Sequence, residues 1–85
     1  MIEMKDCKLL FDSGTLTKAY VAPNHMGKGY IVLFDYVSKG LVSDRRRILR
    51  SQRSEEAKAF KRLESAVNAV KAIGFNSVTI IDLHS

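Results

Sequence analysis

Tyr30-Ile31-Val32-Leu33-Phe34-Asp35-Tyr36-Val37 is the stretch on which the fold turns. Tyr30, Val32, Phe34 and Tyr36 share one face at the two-residue period of a strand, and Ile31, Leu33 and Val37 share the other. Both faces are apolar, so the strand belongs in the interior of a sheet rather than at its rim. Ser38-Lys39-Gly40 ends it. On its other side Pro23-Asn24-His25-Met26-Gly27-Lys28-Gly29 is a loop with the chain's only proline. Before that loop, Thr15 to Ala22 carries strand character through Leu16, Tyr20 and Val21. Met4 to Phe11 also reads as a strand, with Cys7, Leu9 and Phe11 on one face. Asp12-Ser13-Gly14 would join these two as an antiparallel hairpin.

Beyond the central strand, Leu41 to Gln52 fits neither period, and Ile48 with Leu49 could anchor a fourth, edge strand or an ordered loop. Ser54 then reads as a helix N-cap, with Glu55 and Glu56 in the first turn where the helix dipole favours acids. Phe60, Leu63, Val67, Val70 and Ile73 recur at spacings of three and four, with Ala66 on the same stripe. Gly74 closes the helix, and Ser77 to Leu83 supplies a last β-branched strand. The expected fold is α+β: a mainly antiparallel sheet of four or five strands in the order β-β-β-(β)-α-β, with one long helix, 54–73, packed on one face. One helix covers one face of a sheet, so the apolar side chains of the other face require the arginine-rich segment or a second copy of the chain. Self-association is therefore expected.

The length, 85 residues, suits a single domain covering 1–85. A chain of this size hides only about 60–65% of its unfolded surface, which favours a surface function over a deep pocket. No stretch approaches the roughly 20 apolar residues of a membrane span. Glu3, Lys5, Asp6 and Lys8 interrupt the first residues, so no apolar signal core is present there. A cytoplasmic location without membrane contact is expected, and Cys7, the only cysteine, suits a reducing compartment. Cys7 reads as a small apolar residue more naturally than as a nucleophile.

Charge placement is the sharpest functional signal. All six arginines lie between positions 45 and 62, and five of them are Arg45, Arg46, Arg47, Arg50 and Arg53. From Lys39 to Arg62 there are nine basic and three acidic residues, a net charge of +6 against +5 for the whole chain. A planar guanidinium fork matches phosphate geometry, and a clustered patch gains affinity by releasing counterions from a nucleic-acid backbone. DNA, RNA or an acidic partner is the expected ligand of these five arginines. The competing reading is a solvated edge that blocks strand pairing, or pairing with the protein's own carboxylates.

Other motifs carry less. Gly27-Lys28-Gly29 leads into a strand and lacks the frame of a phosphate loop. His25 and His84 have no neighbouring ligands of metal-site spacing, and no metal or other cofactor is expected. Asp12 with Ser13, Asp35 and Asp82 show no convergence into an acid–base pair. Tyr20, Tyr30 and Tyr36 could stack on bases but at strand spacing read first as core. No enzymatic activity and no small-molecule substrate are expected.

The hairpin segment Leu9-Leu10-Phe11-Asp12-Ser13-Gly14-Thr15-Leu16-Thr17-Lys18-Ala19, then Met26-Gly27-Lys28-Gly29-Tyr30, then Phe60, Leu63, Ala66 and Val70 before Ile73-Gly74-Phe75, resembles small plasmid-encoded partition-associated proteins of the ParC type. The likeness covers most of the chain. It departs most between Val42 and Ala57, where Arg53-Ser54-Glu55 stands in place of an Arg followed by Gly. The resemblance implies a plasmid or mobile-element accessory role in the bacterial cytoplasm, and no catalytic or binding residue transfers with it.

Overall fold

The fold is taken from a computed structural model that describes residues 2–25, 27–43, 45–51 and 56–81. In chain order the elements are β1 (Ile2–Glu3), α1 (Met4–Asp12), β2 (Leu16–Pro23), β3 (Tyr30–Ser38), β4 (Leu41–Val42), β5 (Arg47–Arg50), α2 (Leu63–Ile73) and β6 (Thr79–Ile80). The class is α+β as expected, but the sheet is mixed rather than mainly antiparallel, and the described residues form six strands and two helices rather than four or five strands and one. The strands run in the order β1-β5-β3-β2-β6, with β4 paired to the far end of β3. The contacts of β2 with β3 and of β3 with β4 and β5 are antiparallel; β1 with β5 and β2 with β6 are parallel.

The first correction is Met4–Phe11, which forms helix α1 rather than a strand. Met4, Cys7, Leu10 and Phe11 also recur at helical spacing, and these side chains meet the core. Leu9, which the strand reading places inside, is 70% exposed. A short segment satisfies both periods, and burial decides between them. The turn at 12–14 survives as the end of α1: the Ser13 N–H donates to the Leu9 carbonyl at 3.0 Å and the Thr15 N–H to the Leu10 carbonyl at 2.8 Å. The chain therefore passes from a helix into β2 at this turn, and no hairpin forms here.

The second correction concerns the long helix. Ser54 and Glu55 lie outside the described residues, and α2 begins only at Leu63. The segment before it is extended. The Tyr30 N–H donates to the Phe60 carbonyl and the Phe60 N–H to the Tyr30 carbonyl, each at 2.8 Å. The Lys58 N–H donates to the Leu49 carbonyl at 2.8 Å. Tertiary pairing thus satisfies backbone groups that a helix would have bonded locally. Of the expected stripe, Val70 and Ile73 are buried, as is Ala66 beside them, while Phe60, Leu63 and Val67 are half-buried. The last strand is short, Thr79–Ile80, and the rest of its expected length beyond Ile81 lies outside the described residues.

The core forms on the helix-bearing face. Ala19, Val21, Val32, Phe34 and Leu49 from the strands meet Cys7 of α1 and Ala66, Val70 and Ile73 of α2, with Phe75 closing the end. The central strand keeps the two faces read from its alternation: Val32 and Phe34 face the helices, and Ile31, Leu33 and Val37 face away. Ile31, Leu33, Val37 and Ile48 remain half-buried, and among the described residues no helix covers them.

Gly29 is required by a close approach. Its φ is +93°, and a Cβ there would sit 2.3 Å from the Phe60 carbonyl oxygen that holds Tyr30. Gly29→Ala should therefore destabilise by at least about 2 kcal/mol through strain and loss of that pairing. A urea titration showing less than about 0.5 kcal/mol would mean that the two segments separate easily.

Cys7 is fully buried, and burial pushes its thiol up to about 11, with the Asp6 charge adding to the shift. The folded state then retains a proton that the unfolded state loses near its ordinary value of about 8.5. This contribution to stability is intact at neutral pH and falls as pH rises from that ordinary value toward 11. Cys7→Ala should flatten that part of the pH–stability curve, and thiol labelling of the native protein near pH 8 should be limited by unfolding.

Candidate nucleic-acid interface

The arginine-rich segment is not one flat patch. Arg46 precedes β5 and Arg47 opens it, so strand alternation sends them to opposite faces of the sheet. The Arg46 guanidinium lies 4.0 Å over the ring of Tyr20, on the face without helices. The Arg47 guanidinium lies 4.7 Å over the ring of Tyr36, which packs against the core on the helix side. Each arginine is therefore oriented by a tyrosine, a contact worth about 0.5–1 kcal/mol at an exposed site.

Arg46 is also held by a carboxylate. The Tyr20 hydroxyl donates to Asp35 Oδ2 at 2.6 Å, and Arg46 Nε stands 3.5 Å from Asp35 Oδ1. The hydrogen bond to Asp35 raises the Tyr20 hydroxyl above its ordinary value, with burial and the Asp35 charge adding and Arg46 opposing. Asp35→Asn should bring the Tyr20 titration back down. Removal of the negative charge beside Arg46 should also raise affinity for polyanions by roughly two- to fivefold at low salt. An unchanged tyrosine titration, read by ultraviolet absorbance, would contradict this arrangement.

Arg45 is exposed at the base of the β3–β4 hairpin, its N–H donating to the Ser43 hydroxyl at 3.3 Å. Leu33, Asp35, Ser43, Arg45 and Arg46 line an open hollow there. Arg50 stands apart from this group. Its Nη2 pairs with Glu3 Oε1 at 2.7 Å, joining β5 to β1. Arg53 and Asp44 lie outside the described residues. Of the five arginines singled out in the sequence, the structure thus brings Arg45, Arg46 and Arg47 to one end of β3 and gives Arg50 an internal partner.

Three participants escape the sequence reading. Asp35 reads there only as a carboxylate without an acid–base partner, and its link to Arg46 depends on a strand pairing no local pattern displays. Leu41 and Val42 read only as part of an ambiguous stretch. They form β4, returning from β3 through Lys39-Gly40, and are 75% and 62% exposed. A signal lies in Lys39-Gly40, whose φ angles of +53° and +80° are those of a two-residue hairpin turn.

Among the described residues no three His, Cys, Asp or Glu side chains gather into a metal-sized group, and no helix is long and apolar enough to cross a membrane. No protein-family profile matches the chain, and neither the curated proteins nor the solved structures contain a significant match.

Proposed function

We propose that this protein is a small non-enzymatic binding module for nucleic acid, with Arg45, Arg46 and Arg47 as its phosphate contacts. The observation that carries the reading is the placement of these three cations around one end of β3, two of them oriented by tyrosines. A guanidinium held in place loses less freedom on meeting a phosphate than a free one does. Arg50 and Arg53 are the outer members of the set; Arg50 contributes less because Glu3 offsets its charge. A role as an accessory of a plasmid or mobile element in the bacterial cytoplasm is the setting that the partition-protein resemblance implies. Fluorescence anisotropy with short DNA and RNA duplexes and single strands over a salt series tests the proposal. Binding should weaken with a logarithmic salt slope of about −2 to −3 for duplex DNA. Absence of salt-dependent binding to every probe would refute it.

A second reading rests on a different observation. Ile31, Leu33, Val37 and Ile48 present a half-buried apolar face that no described helix covers. A second copy of the chain packing sheet against sheet would bury it, making this a homodimerisation domain whose arginines serve solubility. Sedimentation would then show a concentration-dependent dimer insensitive to moderate salt.

A further inference from the structure

We infer that the β3–β4 hairpin is a groove probe, entering the major groove of a DNA duplex with Leu41 and Val42 against base edges while arginines on both faces of the sheet meet the two phosphate walls. The inference rests on the nucleic-acid reading and deepens it by assigning the mode of contact. Leu41 and Val42 have no role in the core. They are large apolar side chains left 75% and 62% exposed, on a strand of only two residues.

The hairpin projects beyond its neighbours. The Val37 N–H donates to the Thr15 carbonyl at 2.8 Å, beside the start of β2, and the Ser43 N–H donates to the Tyr36 carbonyl at 2.7 Å on the opposite edge. Past these bonds the described pairing is the hairpin's own, Val37 with Val42 and Ser38 with Leu41. From Val37 to the Lys39-Gly40 turn the reach is about 7 Å at strand rise. That is close to the depth of the major groove, about 8.5 Å, whose width of about 12 Å admits a two-stranded ribbon. The minor groove, about 6 Å wide, does not admit one without deformation.

Charge complementarity fixes the partner. A flat basic patch would place its cations on one side, whereas here Arg46 turns to the Tyr20 face and Arg47 to the Tyr36 face. That split is poorly suited to a planar anionic surface and well suited to a groove with a phosphate strand along each wall. Lys39 at the turn and Arg45 just beyond β4 add positive charge at the two ends of β4. Apolar side chains at the tip have a matching target in the thymine methyl group, which lies only in the major groove.

The test uses the intact chain and a mixed-sequence duplex. Methyl green, a major-groove ligand, should displace the wild-type protein, and netropsin, a minor-groove ligand, should not. Leu41→Ser with Val42→Ser should lower duplex affinity about tenfold while leaving the salt slope unchanged, because the phosphate contacts remain. Both side chains are exposed, so the melting temperature should hold; the competition arm needs no variant. Displacement by netropsin alone, or a serine pair that binds duplex as tightly as wild type while the arginine variants do not, overturns the hairpin mode and leaves the phosphate reading standing. If wild type binds no duplex, both fall. Vesicles containing phosphatidylserine form the remaining arm. Loss of vesicle binding in the serine pair, with duplex binding intact, would assign the apolar tip to a lipid surface and overturn the inference.

Discussion

Replacing Arg45, Arg46 and Arg47 together with alanine should lower duplex affinity roughly a hundredfold at low salt and flatten the logarithmic salt slope by about 0.9 for each phosphate contact removed. The loss should be nearly uniform across DNA sequences, because phosphates carry no base information. The structure adds a cost in stability that charge placement alone does not reveal. Arg46 leaves behind the face of Tyr20 and the carboxylate of Asp35, and Arg47 leaves the face of Tyr36. Together these contacts should cost about 1–2 kcal/mol. Arg45 separates the two effects. It is exposed and anchored through its backbone N–H, so Arg45→Ala should reduce affinity while the melting temperature holds. Anisotropy over a salt series and thermal melts of the same variants decide the matter. A triple variant that binds as before but melts earlier would make these arginines part of the fold and remove the main support for nucleic-acid binding.

Phe34→Ala should be the most damaging single change. Phe34 is fully buried on the helix-bearing face of β3, its ring 5.8 Å from that of Phe75. Truncation removes the largest side chain at the centre of the core and leaves a cavity that Val32, Val70 and Ile73 can only partly fill. Such changes cost about 3–5 kcal/mol. A domain of this size has roughly 4–13 kcal/mol in total. The variant should melt about 15–30 °C lower. Leu33→Ala supplies the contrast. Leu33 is the next residue on the same strand but faces away from both helices and is half-buried, so its loss should cost about 1 kcal/mol. Urea titrations of the two variants measure how unequal the two sides of the sheet are. Equal costs would mean that the uncovered face is buried in solution, as the homodimer reading requires.

The unequal legibility of the chain has a physical basis. β3 is legible because a short run apolar on both faces, rich in β-branched and aromatic residues and flanked by glycines, suits a buried strand, and its two faces stand as read. The C-terminal half of the helix is legible from its period: Ala66, Val70 and Ile73 are buried as their spacing demands. Met4–Phe11 is not, because Cys7 and Phe11 fit both a two-residue and a helical period and only packing against the core chooses between them. The start of α2 escapes because Phe60 continues the helical stripe, yet its backbone bonds Tyr30 from thirty positions away.

The candidate site divides along the same line. The sequence by itself determined that five arginines cluster within an otherwise nearly neutral chain, that β3 lies inside a sheet, and that Ser38-Lys39-Gly40 ends it. Those are properties of composition, alternation and local backbone freedom. Only the tertiary structure decided that Arg46 and Arg47 occupy opposite faces, that Arg50 belongs to Glu3, and that Leu41 and Val42 stand exposed on β4. Each of those outcomes depends on strand register and order, which are set by long-range pairing and by which face the helices cover. No local pattern encodes that choice, because a register shift of one residue leaves the composition unchanged and sends every side chain to the other face.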